Sequence, residues 1–413
     1  MHSCDIFCNV IDNYGDIGVC WRLARQLANE HGLTVRLWVD DLGSLAKLCH
    51  EADAARDIQH CRGVEVRRWY ESGNPPTLRY LRANGDEEAI QPAELVIEAF
   101  ACKLPQSYIE AMAAQQQSVW INLEYLSAED WVHGCHGLPS PHPSLPLEKY
   151  FFFPGFTKQT GGLLLERDLF ARRDAFQSDA VRQQAFWQSC GMEAPPAEML
   201  KISLFGYEND ALAGLFDAWS NGAQPVLCLV PEGRILPQVK QYFGDFDSPR
   251  PLAGEGLGER GSYSSGSLRV RVLPFVEQER YDELLWACDI NFVRGEDSCV
   301  RAQWAARPFV WHIYPQHDGV HMQKLRSFMA RYCAELPPEV ARALHGLWEA
   351  WNGGCEAPIS IGKAWNDFHV YQSMLRQRAQ GWALELAANN LALNLLDFSK
   401  KIGRMRAFEI EGQ

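Results

Sequence analysis

The chain has 413 residues, beyond the size at which a single hydrophobic core usually stops growing, so two domains are expected. Hydrophobic residues at 47% and charged residues at 22% are ordinary globular values and argue against long disorder or a fibrous repeat. A net charge of −13 excludes a phosphate-tracking surface as the dominant feature; it disfavours nucleic-acid binding and favours a basic partner or a local cationic acceptor.

From the N-terminus, residues 6–11 read as a short buried strand, and residues 18–31 as a helix with Val19, Leu23 and Leu27 at helical spacing beside Trp21 and Ala24. Further strands are predicted over 34–39, 94–100 and 118–123, with helices over 44–50 and 107–115 between them. This alternation predicts a parallel sheet covered by helices on both faces. Pro139, Pro141, Pro143 and Pro146 then predict a long surface loop, because proline suits neither a helix interior nor a central strand. Residues 150–156 and 161–165 are expected to form a small hairpin, and 166–197 a helical linker closing at Pro195 and Pro196.

A second alternating series follows, with strands predicted over 201–205, 225–230, 268–273, 289–293 and 309–313. Between the second and third of these, residues 253–267 are crowded with Gly and Ser and read as a mobile loop. Residues 369–398 read as one long helical pattern carrying Leu375, Leu384, Leu386, Leu391, Leu393 and Leu396. Two Rossmann-like α/β domains facing a central cleft, with a helical tail, form the GT-B plan of glycosyltransferases, an analogy of fold that says nothing about the sugar. The expected domains are 1–185, 186–375 and a tail over 376–413 that packs back towards the first.

Thirteen cysteines include no C-x-x-C pair, and Cys4, Cys8 and Cys228 lie in apolar runs, the pattern of reduced buried thiols rather than of zinc sites or disulfides. The first ten residues contain Asp5 and lack a basic stretch followed by an apolar one, and no apolar run reaches about 18 residues. A cytoplasmic protein with no membrane partner is therefore expected.

Two polar turns carry the chemistry. The first, Asp12, Asn13, Tyr14, Gly15, Asp16, Ile17 and Gly18, follows the first strand, where ligands of an open parallel sheet bind. It is not G-x-G-x-x-G, and two carboxylates stand where a dinucleotide site would offer backbone donors. Acids four residues apart suit acid/base work or the binding of a cation. Equally, Asp16 suits a helix cap and Asp12 a bond to loop amides. The second turn, Arg294, Gly295, Glu296, Asp297 and Ser298, ends the strand that begins near Asp289 and opens a helix. Helix amides, a serine hydroxyl and Arg294 make an anion site fit for a nucleotide diphosphate, but Glu296 and Asp297 would repel it, so at least one must point elsewhere. Local capping by Asp297 and Ser298, with Arg294 paired nearby, is the competing reading.

Phe275 and Gln278, after the strand over 268–273, suit stacking on a base and reading its edge, although a phenylalanine is more often core. Phe205, Gly206 and Tyr207 offer an aromatic floor in the same manner. His312, His317, Asp318 and His321 match no standard zinc spacing, and no metal is expected.

The stretch from Asp5 through Asp12 and Asp16 to Leu27, together with Leu273 to Gln278 and Arg294 to Ser298, resembles the elongation factor P arginine rhamnosyltransferase family, EarP, in order over nearly the whole chain. The resemblance implies a GT-B fold whose first domain is the acceptor side and whose second holds a dTDP-β-L-rhamnose donor. It implies inverting transfer to one arginine guanidinium of elongation factor P, activating that factor for relief of ribosome stalling at polyproline. By motif, Asp16 is the general base, Asp12 its acidic neighbour and Glu296 the second essential acid. Asn13, Tyr14, Gly15, Asp16, Tyr207, Gln278 and Arg294 through Ser298 line the donor pocket, with Phe275 added here for base stacking. No cofactor or metal is implied beyond the donor substrate.

The chemistry suits these residue types. A guanidinium with a pKa above about 12 is not deprotonated in advance by a carboxylate, so its proton leaves late, as nitrogen bonds to the anomeric carbon. Inversion in one displacement needs no covalent sugar intermediate. Two rivals remain at this point: a GT-B transferase with another nucleotide sugar and a small-molecule or lipid acceptor, and a non-catalytic module that binds a translation factor.

Overall fold

β1 (Ser3–Cys8) is buried from Cys4 to Cys8 on both faces, as a central parallel strand must be, its one charge, Asp5, being paired with Arg36. In the computed structural model, which describes residues 1–11, 14–69, 91–244, 261–316, 319–353 and 357–411, β1 leads into α1 (Gly15–His31). There follow β2 (Thr34–Val39), α2 (Leu42–Leu48), β3 (Ile58–Cys61), β4 (Val64–Arg68), β5 (Leu95–Ala99), α3 (Gln106–Gln115) and β6 (Val119–Leu123). α4 (Val132–Cys135), β7 (Pro139–Pro141) and β8 (Glu148–Phe152) complete an eight-stranded sheet of order β3-β4-β2-β1-β5-β6-β8-β7. Strand and helix start earlier than the sequence implies, at Ser3 and Gly15, because Gly15, Asp16 and Ile17 join the helix rather than the loop. At the far end Gly32 (φ +69°) stops α1, its amide donating to the Ala28 carbonyl.

The second series opens with α5 (Leu169–Ser178) and α6 (Ala180–Ser189). It continues with β9 (Leu200–Leu204), α7 (Leu212–Ser220), β10 (Val226–Pro231), α8 (Leu236–Tyr242), β11 (Ser262–Ser265), β12 (Leu268–Leu273), α9 (Gln278–Ala287) and β13 (Ile290–Arg294). α10 (Asp297–Trp304), β14 (Phe309–His312), α11 (Val320–Tyr332), α12 (Pro338–Gly353), α13 (Ile361–Val370), α14 (Gln372–Ala387) and α15 (Leu391–Glu411) follow. The sheet order is β11-β12-β10-β9-β13-β14, parallel except at β11. An aromatic core around Trp219, Phe292, Trp351 and Trp365 backs this sheet, and the bidentate Asp282–Arg301 pair lies buried between α9 and α10.

By compactness the chain divides into Met1–Arg167 with Leu386–Gln413, and Asp168–Glu385. The break thus falls at 167/168 rather than at 185/186, because α5 packs in the second unit, with Phe176 on Trp286 and Phe170 on Trp304. The return to the first unit falls at 385/386 rather than 375/376.

Several expectations are corrected. The residues from 134 on are not all loop: α4 is a short helix, and Pro139 and Pro141 sit in edge strand β7, the one place in a sheet that tolerates prolines. The hairpin is β7–β8, while residues 161–165 bond through Gly161 N to Phe153 O and bridge from Leu163 to Asn390. The close approach is made by Gly162 (φ +82°), where a Cβ would lie 2.1 Å from the Asn389 carbonyl oxygen. Of the loop expected over 253–267, residues 253–260 fall outside the described residues and Ser262–Ser265 is β11. The long helix over 369–398 is three helices, interrupted at Tyr371 and again at Asn389 and Asn390.

Candidate functional site

Among the parallel strands of each sheet the order reverses once, and the crevice at such a switch point, beyond the carboxyl ends, is where open α/β sheets bind ligands. In the first unit the reversal lies between β1 and β5; in the second it lies between β9 and β13. The polar turns stand at these points.

Asp16 occupies the first turn of α1, where exposed backbone N–H groups favour a carboxylate, and is only 3% exposed. Its Oδ2 accepts from the Ile11 amide at 2.9 Å, and the Tyr125 hydroxyl lies 3.4 Å from Oδ1. Asp16 thus holds the Ile11 amide from the first turn of the helix, and the helix has no side-chain cap. Tyr14 precedes the helix, its carbonyl accepting from Gly18 N at 2.9 Å, and Gly15 opens it. Asp12 and Asn13 lie outside the described residues.

In the second unit Arg294 ends β13 and is 6% exposed. Its guanidinium carbon lies 4.3 Å from the Phe205 ring centroid and 5.0 Å from that of Tyr207, and Nη1 donates to the Gly206 carbonyl at 3.2 Å. The floor expected under a base thus carries the arginine itself. Gly295 turns the chain at φ +61°, and its carbonyl accepts from Trp311 Nε1 at 2.6 Å. The Ser298 hydroxyl donates to the Arg294 carbonyl and accepts from the Arg294 amide at 3.0 Å, so it locks the strand-to-helix turn.

The two carboxylates at this helix start are each engaged. Glu296 pairs with Lys324 of α11 at 2.9 Å, and Asp297 accepts from Gln278 Nε2 at 3.4 Å. Gln278 begins α9 and is buried; Phe275, in the turn before it, is half-buried. Tyr207 packs edge-on against His312, whose Nδ1 accepts from the Tyr207 amide at 3.3 Å. Burial, then Arg294 and His321, push the His312 pKa down to about 3, so the ring is neutral and keeps that lone pair. Burial likewise pushes the Tyr281 phenol, packed on Phe205, well up. Of the four residues weighed as metal ligands, His317 and Asp318 lie outside the described residues, and His321 Nδ1 accepts from the Gln316 amide at 3.1 Å. Among the described residues no group of three or more His, Cys, Asp or Glu side chains gathers to hold a metal.

Sequence reasoning missed Lys324, Tyr125 and the role of His312. Lys324 and Tyr125 lie 28 and 109 residues from the carboxylates they meet, and no local spacing signals such a contact.

Two α/β units of parallel-rich sheets, with polar turns at their switch points, define a glycosyltransferase of the GT-B class. A solved glycosyltransferase from Rickettsia africae shares the fold at TM-score 0.52 and 10% identity, over 97% of this chain and 98% of that one. The model of the family described as Elongation-Factor P (EF-P) rhamnosyltransferase EarP matches residues 4–400, and the chain belongs to that family. A protein-arginine rhamnosyltransferase of Pseudomonas putida is 49% identical over 396 residues, covering 95% of this chain and 97% of that protein. A solved structure described as the structural basis for EarP-mediated arginine glycosylation of translation elongation factor EF-P matches at TM-score 0.64 and 36% identity, over 97% of this chain and 99% of that one.

Proposed function

We propose that the chain transfers rhamnose, with inversion, from dTDP-β-L-rhamnose to an arginine guanidinium of elongation factor P in the cytoplasm, activating that factor at polyproline stalls. The observation that carries the reading is Asp16: a carboxylate held almost wholly out of solvent at a helix start, one oxygen fixed by the Ile11 amide. A carboxylate so oriented binds a cation by its second oxygen and takes the proton as the new C–N bond forms. Asp12 is its acidic neighbour by family motif.

The donor belongs to the second unit. The amides at the start of α10 and the charge of Arg294 favour a diphosphate and stabilise its departure, which is positive potential enough to need no metal. Lys324 offsets the charge of Glu296, and Gln278 holds Asp297 by a hydrogen bond, which lessens the repulsion two carboxylates would otherwise impose. Glu296 is the second essential acid. Tyr207, Phe275, Gln278 and residues 294–298 line the donor pocket of the second unit.

Incubating elongation factor P with the chain and dTDP-rhamnose is expected to add the mass of one deoxyhexose, and omission of the donor to add nothing. No gain together with tight binding supports a non-catalytic module instead. Asp16→Asn is expected to lower transfer about 10²- to 10⁴-fold while dTDP affinity survives; full activity in that variant removes Asp16 from the mechanism. Greater thermal stabilisation by UDP than by dTDP favours a different nucleotide sugar.

A further inference from the structure

At the carboxyl end of β5 the backbone enters a region that side-chained residues avoid. Phe100, Ala101 and Lys103 have φ of +56°, +55° and +57°, half of the six such non-glycine residues among those described. Neighbours hold the segment there. The Phe100 amide donates to the Leu123 carbonyl at 2.7 Å, the Ala101 amide to Asn122 Oδ1 at 3.1 Å and the Lys103 amide to Glu98 Oε1 at 3.1 Å. Glu98 is itself fixed by Lys149 at 3.0 Å and Trp120 Nε1 at 3.1 Å. Strain over-determined in this way, at the switch point beside β1, is the kind a protein keeps for a purpose.

What the turn accomplishes is an aromatic pair. The Phe100 ring stacks on that of Tyr125 with centroids 4.5 Å apart and planes inclined by 16°. Tyr125 is 39% exposed, and its hydroxyl edge lies 3.4 Å from Oδ1 of the nearly buried Asp16. A backed, partly exposed aromatic surface therefore ends at a carboxylate whose other oxygen is already occupied by Ile11.

We propose that the Tyr125 ring, supported by Phe100, is the platform on which the acceptor's guanidinium lies while Asp16 takes hydrogen bonds from its edge. A guanidinium donates only in its own plane, so its face is left to stack on an aromatic ring as its N–H groups reach a carboxylate beside that ring. An ammonium, with three diverging donors and no flat face, gains less from the same surface, which makes Tyr125 a determinant of selectivity for arginine over lysine. The inference rests on the proposed function for the identity of the acceptor.

The test is calorimetric titration of elongation factor P into the full chain and its Tyr125→Leu, Tyr125→Phe and Tyr125→Trp variants, with steady-state transfer measured in parallel. Tyr125→Leu is expected to weaken acceptor affinity and raise the KM for elongation factor P roughly 3- to 30-fold, leaving the KM for dTDP-rhamnose within about two-fold. The phenylalanine and tryptophan variants keep a ring and are expected to hold acceptor affinity within about two-fold. Acceptor affinity and KM unchanged in Tyr125→Leu overturn the inference, as does an equal rise in the donor KM, the mark of general distortion. Tyr125→Met, also non-aromatic, carries the measurement if the leucine variant melts early. Transfer by the wild type with affinity indifferent to Tyr125 leaves the proposed function standing and removes this inference; Tyr125-dependent binding without transfer does the reverse.

Discussion

His312 closes β14 fully enclosed, and its unprotonated Nδ1 accepts the amide that holds Tyr207. Its pKa is lowered to about 3, whereas in the unfolded chain it titrates near 6.5. Between these values the unfolded state binds the extra proton, so the stability His312 contributes is complete above about pH 6.5 and is lost as pH falls towards 3. In His312→Asn an amide oxygen replaces the acceptor nitrogen without a titrating group. Urea midpoints measured across that window are expected to fall less steeply in the variant than in the wild type, and identical slopes would show that His312 is not the titrating group. The same residue scale explains why two acids are tolerated where a diphosphate is proposed to sit. Glu296 and Asp297 are each already bonded, to Lys324 and to Gln278, and Arg294 adds a positive charge spread between two rings.

Among the elements, α15 depends on the residue before it. Asn390 Oδ1 accepts from the amides of Ala392 at 3.0 Å and Leu393 at 3.2 Å, while Nδ2 donates to the Leu165 carbonyl at 2.6 Å. Such a cap satisfies helix donors that have no partner within the helix. Asn390→Ala is expected to cost about 1–2 kcal/mol, read from thermal melts; a shift under about 0.5 kcal/mol would mean the cap adds nothing here. The interruption that Asn389 and Asn390 create also lets Gly162 approach the Asn389 carbonyl, a contact any side chain at 162 would block. At the start of α10 the opposite device operates: Gly295 supplies the left-handed turn and Ser298 locks it.

At the scale of the whole molecule, the first unit is assembled from both ends of the chain. Leu395 of α15 is wholly buried, Phe398 packs on Tyr150 and Phe152, and Arg406 Nη1 donates to the Ser118 carbonyl at 2.8 Å. Leu395→Ala is expected to cost about 2–5 kcal/mol through the cavity it opens, lowering the first unit's melting temperature. Because the proposed donor residues lie in 168–385, dTDP affinity measured by calorimetry at low temperature is expected to survive that change. A loss of dTDP affinity equal to that of an Arg294 variant would refute this separation.

Alternation of strands and helices and two restarting series were legible in the amino-acid order alone. Period, punctuation and local charge are properties of neighbours along the chain, and β2 and β12 match their predicted bounds for that reason. The hairpin β3–β4 went unread because it is short and its alternation is brief. Tertiary structure alone decided that Asp16 meets Tyr125 and that Glu296 meets Lys324, since each pair joins segments remote in sequence. It alone placed the prolines of β7 on a sheet edge and sent α5 to the second unit, because edge position and packing partners depend on which surfaces are left to cover once the sheets have formed.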